Sequence, residues 1–194
     1  MPDVLQQISL IVDTLQKVRD KALQHGRILT NKGKGIDDHQ VHAERLAYLA
    51  TEVEAARCLL NYAQAAKQNG GDDNGNISNM ALGFTAEVSQ KLVGQASIHL
   101  HDFGFDESFL NDTLGQAEVT AAIRDGAHES RFRTIGQAVL ATKGVNNSWL
   151  EDDIAEMTRD SVRQFAKSEV APIAERVHRN DELIPESIIK NMSE

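Results

Sequence analysis

Cysteine is almost absent from the 194-residue chain, which contains only Cys58. A single cysteine excludes a disulfide framework and a zinc site built from several thiolates, and it fits a reducing compartment. No apolar run approaches the roughly 18 residues that a membrane-spanning helix needs. The first residues, MPDVLQQISLIVD, carry an acid and amides where a secretion signal carries Lys or Arg. These absences predict a soluble cytoplasmic protein.

Basic residues are also scarce. The chain has 20 Lys and Arg against 29 Asp and Glu, which gives a formal net charge of −9. An acidic balance argues against a general nucleic-acid binder and against a binder of anionic membranes, because both need a basic face. The sequence also lacks an HExxH motif, a Walker loop, a nucleophile elbow and a dinucleotide glycine fingerprint.

Proline is nearly absent before residue 172, where only Pro2 occurs, and strand signals are weak. Apolar residues instead recur at alternating spacings of three and four, which places them on one face of a helix. This pattern predicts a first helix over residues 4–26 and a second over residues 39–68. We expect the second helix to be the mechanical centre of the fold. Its inward positions are Leu46, Leu49, Val53, Ala56, Leu60 and Ala63.

Three further helices are predicted before residue 143, at residues 77–99, 111–124 and 129–142. The breaks between them are the NGGDDNGN linker, the HDFGFDES segment and a turn at Asp125-Gly126. Residues expected to face inward in the third helix are Met80, Phe84, Val88 and Leu92. The five helices together predict an all-α fold, with an antiparallel up-and-down helical bundle over residues 1–142.

Additional C-terminal helices are predicted at residues 151–194, after a linker at residues 143–150. Ser148 and Glu151 have the spacing of a capping box, which marks the start of a helix. Pro172 is expected to kink or restart that helix, and Pro185 to open another. The stripe that the first of these helices is expected to bury consists of Ile154, Met157, Val162 and Phe165.

Composition and spacing offer three candidate sites. Seven histidines invite a metal site, but none combines with acids in the Glu-x-x-His pattern of di-iron bundles, so no metal is expected. Cys58 is expected to be a small buried filler, although Arg57 beside it could activate a thiol. The Lys32–Gly35 loop could meet a phosphate, but a plain solvated loop is the favoured interpretation.

Two stretches resemble the acyl-CoA dehydrogenase family, in the reverse of its usual order. LTNKGKGIDDHQ and ERLAYLATEVEAARCLLNYAQAA resemble the R-x-x-F-G-x-P-[IL]-x-x-x-Q phrase and long alanine-rich helix of the C-terminal domain. MALGFTAEVSQ (80–90) and IHLHDFGF (98–105) resemble its next helix and its Q-x-x-G-G-x-G-[FY] phrase. IRDGAHESRFRTIGQAVL (123–140) resembles the closing I-Y-E-G-T-x-[EQ] phrase and last helix. This resemblance covers residues 1–142.

Residues 151–194 resemble the first helices of the same family's N-terminal domain. DSVRQFAKSEVAPIAERVHRNDELIPESIIKNMSE looks like the opening in which Phe-Ala precedes Ala-Pro and a later proline starts the second helix. A C-terminal-type bundle ahead of a new N-terminal start implies a degenerate duplicated bundle in front of a complete dehydrogenase. The resemblance therefore implies that the chain is the N-terminal portion of a longer protein, truncated within its second domain.

The family's functional positions are only partly kept. By register, Gln40, Gly126 and Glu129 match its cofactor-binding residue types, and Asp125 falls where many members carry the catalytic glutamate. A turn residue is favoured over a base at Asp125, since aspartate is one methylene shorter. The other cofactor positions are replaced, and the glycine pair that lets a backbone approach the pyrophosphate is lost. The replacing residues are Leu29, Lys32, Ile98, His101-Asp102 and Ala127.

The resemblance implies that the parent chain is an FAD-dependent oxidoreductase of fatty acid metabolism, which converts an acyl-CoA to the 2-enoyl-CoA. It implies a homo-oligomer, and as partners the acyl-CoA substrate and the remainder of the dehydrogenase chain. The bundle itself is expected to bind no FAD and to act in packing or oligomerisation. Two alternatives stay open: a free-standing helical interaction module without activity, and a bundle that binds an acyl chain or nucleotide itself.

Overall fold

The computed structural model describes residues 3–72, 74–144, 149–150 and 152–193. In these ranges the chain forms helices and turns but no β-strand, so the all-α prediction is confirmed. None of the helices in these ranges is long and apolar enough to span a lipid bilayer.

The chain divides into two compact units, Met1–Asn147 and Ser148–Glu194. The helices of the first unit are α1 (Val4–Leu29), α2 (Gln40–Gln68), α3 (Asn76–Ile98), α4 (Glu107–Asn111), α5 (Ala117–Gly126) and α6 (Glu129–Ala141). A 3₁₀ turn, Ile36–His39, precedes α2. The helices of the second unit are α7 (Asp153–Phe165), α8 (Ala171–Asn180) and α9 (Glu186–Asn191).

The two longest helices, α1 and α2, run antiparallel. Near the end of α2, Nζ of Lys67 lies 3.2 Å from Oδ1 of Asp3, which caps the start of α1. At the other end, a Cβ added to Gly26 of α1 would collide with Leu46, near the start of α2. The third helix, α3, runs antiparallel to α2. Arg45 near the start of α2 pairs with Asp102 just beyond the end of α3, which shows that these two ends lie together. This is the predicted up-and-down arrangement.

The buried face of α2 is the one that the apolar spacing predicts. For α1 the same spacing predicts a stripe that begins at Val4; Val4 is only half-buried, and Val12, outside the stripe, is buried as well. Burying a Leu or Ile side chain contributes about 1.5–3 kcal/mol, so these stripes supply much of the stability of the bundle. The buried residues of the α2 stripe are Leu46, Leu49, Val53, Ala56, Leu60 and Ala63, and those of the α1 stripe are Ile8, Ile11, Leu15, Val18 and Ala22.

The central helix is α3 rather than α2, because α3 packs against α1, α2, α4, α5 and α6. The expectation that α2 is the mechanical centre is therefore wrong. Phe84, expected to face inward, is 36% exposed, whereas Thr85 and Ser89 are fully buried. Their hydroxyls donate to carbonyl oxygens one turn earlier, at 2.8 and 2.7 Å, and this lets two polar residues sit in the core.

The predicted linker before α3 contains a buried helix cap. The carboxylate of Asp72 accepts hydrogen bonds from the backbone N–H groups of Ile77 and Ser78, at 2.8 and 3.0 Å. It also accepts one from the Ser78 hydroxyl, at 2.6 Å. Asp72 thus satisfies N–H groups in the first turn of α3 that have no partner within the helix.

The predicted helix at residues 111–124 is displaced in the structure. Asp106 caps the short helix α4, and α4 is closed by a turn in which Gly115 N–H donates to the Leu110 carbonyl at 2.8 Å. Gly115 allows this turn, because a Cβ there would lie 2.8 Å from the Cα of Asn111. The following helix, α5, runs on through Asp125-Gly126, so the turn predicted at these two residues is wrong.

In the second unit, the proposed capping box at Ser148 and Glu151 lies outside the described residues. The cap of α7 is Asp152, whose side chain accepts from the N–H groups of Ile154 and Ala155. A π-helical turn, Ala166–Val170, joins α7 to α8 just before Pro172. Proline has no N–H to donate within a helix, and the change in hydrogen-bond pattern occurs beside it. Pro185 is the N-cap of α9 rather than its first residue.

The apolar stripe of α7 is exposed except at Phe165, which is half-buried, so its expected burial is wrong. Ile154 and Met157 are 75% and 71% exposed, and Val162 is also mostly exposed. The helical spacing of the stripe was predicted correctly, but spacing does not reveal whether a second surface covers it.

Candidate functional site

Asp125 lies in the last turn of α5, where an arginine of α6 holds its carboxylate. Arg131 donates to Oδ2 of Asp125 at 2.8 Å, and its Nε donates to the Asp125 carbonyl oxygen at 3.2 Å. The same guanidinium donates to Oδ1 of Asn79, in α3, at 2.5 Å. The Arg131 side chain is only 13% exposed. Asp125 therefore belongs to a polar junction that ties α3, α5 and α6 together.

The other side of Asp125 borders an open cleft. Between α1 and α5 lies a cavity of about 630 Å³, and its wall is largely apolar. A general base must come within hydrogen-bond reach of the proton that it removes, and Asp125, which the resemblance places at the family's base position, lines this wall. The remaining lining residues are Gln6, Gln7, Leu10, Glu118, Ala121 and Ala122.

Gly126 faces the central helix and not the cleft. A Cβ at this position would lie 2.7 Å from the Cβ of Ala86 and 2.9 Å from the carbonyl oxygen of Leu82. The missing side chain is thus what allows α5 to approach α3 closely. In the described structure Gly126 has a packing role.

Glu129 is the first residue of α6 and is exposed to solvent. Its carboxylate accepts from Nε of Arg133, one turn later, at 3.0 Å. An exposed pair at this spacing stabilises a helix by only about 0.3–0.5 kcal/mol. The preceding residue, His128, caps the helix by accepting from the N–H of Ser130.

Gln40 lies at the opposite end of the bundle. It is the exposed first residue of α2, and it borders a shallow groove of about 440 Å³ together with Arg45 and Asp102. Helix α3 separates this end from the Asp125 junction. Between Asn79 and Ile98 it is about 28 Å long, at ~1.5 Å per residue. The structure therefore brings Asp125, Gly126 and Glu129 together and places Gln40 far from them.

The residues at the replaced cofactor positions do not fit a dinucleotide. Asp102 stands where the resemblance places a glycine, and its carboxylate adds negative charge where a pyrophosphate would approach. That carboxylate is already paired with Arg45. Ile98 is 77% exposed and offers no polar atom beyond the backbone, and Leu29 is likewise apolar. No step of catalysis can be assigned to a flavin at this end of the bundle.

The Lys32–Gly35 loop has no backbone amide left for a phosphate. The N–H groups of Lys32 and Gly35 donate to carbonyl oxygens of Arg27 and Thr30, at 2.7 and 2.9 Å. Gly33 N–H donates to the Thr30 hydroxyl at 3.1 Å. These internal bonds support the interpretation as a plain solvated loop.

Two further expectations from the sequence can be compared with the structure. Cys58 is exposed, with its sulfur 3.7 Å from Glu54 Oε1, so its expected burial is wrong. Among the described residues, no three or more His, Cys, Asp or Glu side chains are placed to hold a metal ion.

The sequence alone does not point to Arg131, which organises the Asp125 junction. Its partner Asn79 is 52 residues away, and local spacing carries no signal for such a contact.

Comparison with protein families gives two matches. Residues 8–140 match the model of the acyl-CoA dehydrogenase C-terminal domain, and residues 152–194 match that of the acyl-CoA dehydrogenase N-terminal domain. The match to the C-terminal domain therefore precedes the match to the N-terminal domain along the chain. No solved structure matches the chain at a significant level.

Three curated relatives are dehydrogenases. (2S)-Methylsuccinyl-CoA dehydrogenase of Cereibacter sphaeroides is 26% identical over an alignment of 201 residues, gaps included. The alignment covers 99% of this chain and 35% of that protein. Cyclohexane-1-carbonyl-CoA dehydrogenase of Geobacter metallireducens is 24% identical over 121 residues, 62% of this chain and 32% of that protein. Glutaryl-CoA dehydrogenase of Desulfococcus multivorans is 33% identical over 98 residues, 50% and 25% respectively. The chain thus spans about a third or less of each relative.

Proposed function

Since the chain belongs to the acyl-CoA dehydrogenase family, we propose that it is a portion of an FAD-dependent oxidoreductase that converts an acyl-CoA to the 2-enoyl-CoA. Within that enzyme, helices α1–α6 form a second, non-catalytic copy of the C-terminal helical domain. This copy acts in packing or oligomerisation of the parent protein. The alignment with the methylsuccinyl-CoA dehydrogenase supports the arrangement, because it runs along nearly the whole chain and so includes both segments in the same order.

The observation that carries the non-catalytic assignment is the ion pair between Asp102 and Arg45. Asp102 stands where the family resemblance has a glycine, and its carboxylate would lie beside a bound pyrophosphate. Asp125 supports the same proposal, because Arg131 engages one of its two carboxylate oxygens. We place the parent in the cytoplasm as a homo-oligomer, and its own further residues then supply the flavin site.

Calorimetry with FAD tests this proposal. The purified 194-residue chain should be colourless and should give no binding heat with FAD, whereas the parent dehydrogenase should bind it. In the parent, Asp125→Ala should leave dehydrogenation unchanged. Micromolar FAD binding by the short chain would contradict the proposal, as would loss of turnover in an Asp125→Ala parent that melts like wild type.

The cleft between α1 and α5 favours a second candidate function, in which the bundle itself binds an acyl chain. The volume of about 630 Å³ and the largely apolar wall suit a short acyl group, with Asp125 at its edge. Titration of the chain with an acyl-CoA and with free CoA separates the two functions. Binding of the acyl-CoA alone, weakened by a Leu10→Gln substitution in the wall, would favour the second candidate. Equal or no binding of both compounds would favour packing.

A further inference from the structure

Histidines are concentrated at the end of the bundle opposite Asp125. Five of the seven in the chain lie where α1 ends, α2 begins and α3 ends: His25, His39, His42, His99 and His101. Neither the proposed packing function nor the family resemblance accounts for this concentration. Within the described ranges, no three or more His, Cys, Asp or Glu side chains are placed to hold a metal ion. Imidazole is the side chain whose ordinary pKa lies closest to neutral pH.

His42 is the member of this group that packs into the corner between α1 and α2. Its ring lies edge-on to the His25 ring of α1, with 5.8 Å between centroids and 69° between planes. Its Nε2 is buried and has no hydrogen-bond partner among the described residues. That nitrogen lies against the backbone of α1, since a Cβ added to Gly26 would be 3.1 Å from it. The contact suits a neutral imidazole and not an imidazolium, whose second N–H would be buried without an acceptor.

Charged and titratable groups face His42 from each neighbouring element. His25 faces it from α1, His39 from the 3₁₀ turn, Arg45 from α2 and Asp102 from the connection after α3. Asp102 is the acid whose charge acts on His42, and Asp37 and Asp38 of the 3₁₀ turn line the same groove. Arg45 and His99 share the Asp102 carboxylate, with 3.7 Å between His99 Nδ1 and Oδ2. Burial, followed by the charge of His25, lowers the pKa of His42 below its ordinary value, and the attraction of Asp102 only partly opposes this.

We propose that this end of the bundle is a proton-sensitive joint, in which protonation of His42 opens the contact between the end of α1 and the start of α2. The neutral ring closes the joint by packing on Gly26 and His25. A proton on His42 buries an unpaired donor and adds a positive charge beside His25, His39 and Arg45. Opening exposes the ring to water and removes both costs.

The sign of the pH effect follows from linkage. The folded chain binds the His42 proton more weakly than the unfolded or opened chain does. In the opened chain the pKa of the His42 imidazole is about 6.5. The joint is therefore fully closed above about pH 6.5 and loosens as the pH falls from there to the lower pKa of the folded form. One linked proton changes the opening constant by at most about tenfold per pH unit.

Two measurements on the 194-residue chain test the proposal. An NMR titration of the imidazole resonances should show His42 titrating below the ordinary histidine value of about 6.5. Hydrogen exchange at residues 22–30 and 40–46, corrected for the intrinsic pH dependence, should accelerate by up to about tenfold per pH unit as the pH falls from about 6.5 towards the titration of His42, and should level off below it. Exchange in the middle of α1 should not follow this course.

Variants separate this joint from general acid sensitivity. His42→Gln, which cannot titrate, should flatten the pH dependence of exchange at the joint, whereas the control His178→Gln should leave it as in wild type. Titration of His42 at or above about 6.5 would overturn the proposal, and that measurement needs no variant. An unchanged pH profile in a folded His42→Gln chain would also overturn it. So would stoichiometric Zn²⁺ binding that abolishes the His42 titration, because the site would then serve a metal.

Discussion

Gly126 sets the distance between α5 and α3, because a single methyl group there would overlap Ala86 and the Leu82 carbonyl. Adding atoms to a well-packed contact of this kind costs about 1–3 kcal/mol. We expect Gly126→Ala to lower the free energy of unfolding by that amount, as measured by urea denaturation. The residue that the family resemblance assigned to cofactor binding thus has a packing consequence that can be measured without any cofactor.

Gly136, in the interior of α6, provides the matched control. A Cβ there meets no atom within 4 Å, so Gly136→Ala should gain only helix propensity and stabilise the chain by about 0.5–1 kcal/mol. Equal effects of the two substitutions would show that the close approach at Gly126 does not limit stability.

At the residue scale, we expect truncation of Leu60 to cost much more stability than truncation of Asp125. Leu60 is 5% exposed, and truncation of a buried leucine typically costs about 2–5 kcal/mol. Asp125→Ala removes one ion pair to a half-exposed carboxylate and should cost only about 1 kcal/mol, since Arg131 keeps Asn79 and the Asp125 carbonyl as partners. Thermal melting of both variants measures this. A larger loss for Asp125→Ala than for Leu60→Ala would make the polar junction the dominant support.

At the scale of elements, the cap of α3 is the most sensitive point outside the apolar core. Asp72→Ala removes three hydrogen bonds to a buried carboxylate at the start of the helix that contacts most of the others. A lost cap typically costs about 1–2 kcal/mol, and bonds to a charged group bring the expected loss to about 2–3 kcal/mol. Urea denaturation of the variant tests this value.

Asp106→Ala is the control for the Asp72 prediction. Asp106 also caps a helix, accepting from Phe109 N–H at 2.7 Å, but it is exposed and α4 has only five residues. Its removal should cost about 1 kcal/mol or less. If the two variants lost the same stability, burial of the Asp72 carboxylate would not contribute to the cap.

The sequence predicts α1 and α2 well, because each buries one stripe and periodicity reports a single stripe directly. It fails for α3, which is covered on several sides, so that Thr85 and Ser89 are inside and Phe84 is partly outside. It fails again between residues 106 and 117, where Gly115 closes a turn that the helical pattern runs across. Local spacing cannot show which neighbours a helix will meet.

In the candidate site, too, the sequence predicts the local features and misses the contacts between helices. Register with the family selects Asp125 and Gly126 together because one local phrase carries both, and the structure has them as the last two residues of α5. The hydrogen bonds that define their roles come from Arg131, Asn79 and Leu82, which other helices supply. The corner between His25 and His42 is equally non-local. These contacts needed the fold.

At the scale of the whole chain, the two compact units differ in how their apolar residues are used. The first buries its stripes in a bundle, whereas the second leaves Ile154, Met157 and Leu183 mostly exposed. Short helices with little buried area are marginal in water, because helix propensity alone does not offset the loss of chain entropy. Hydrogen exchange should therefore be slow in α1–α3 and fast in α7–α9.

Exchange in the full 194-residue chain, followed by mass spectrometry, checks this expectation. Amides around Leu15 should exchange only through global opening, and those around Met157 at rates close to an unfolded peptide. A concentration series is the control, because exposed apolar stripes tend to pair between copies and such pairing would protect α7 only at high concentration. Slow exchange of α7 at every concentration would show that the second unit is stable by itself and does not depend on further residues of the dehydrogenase.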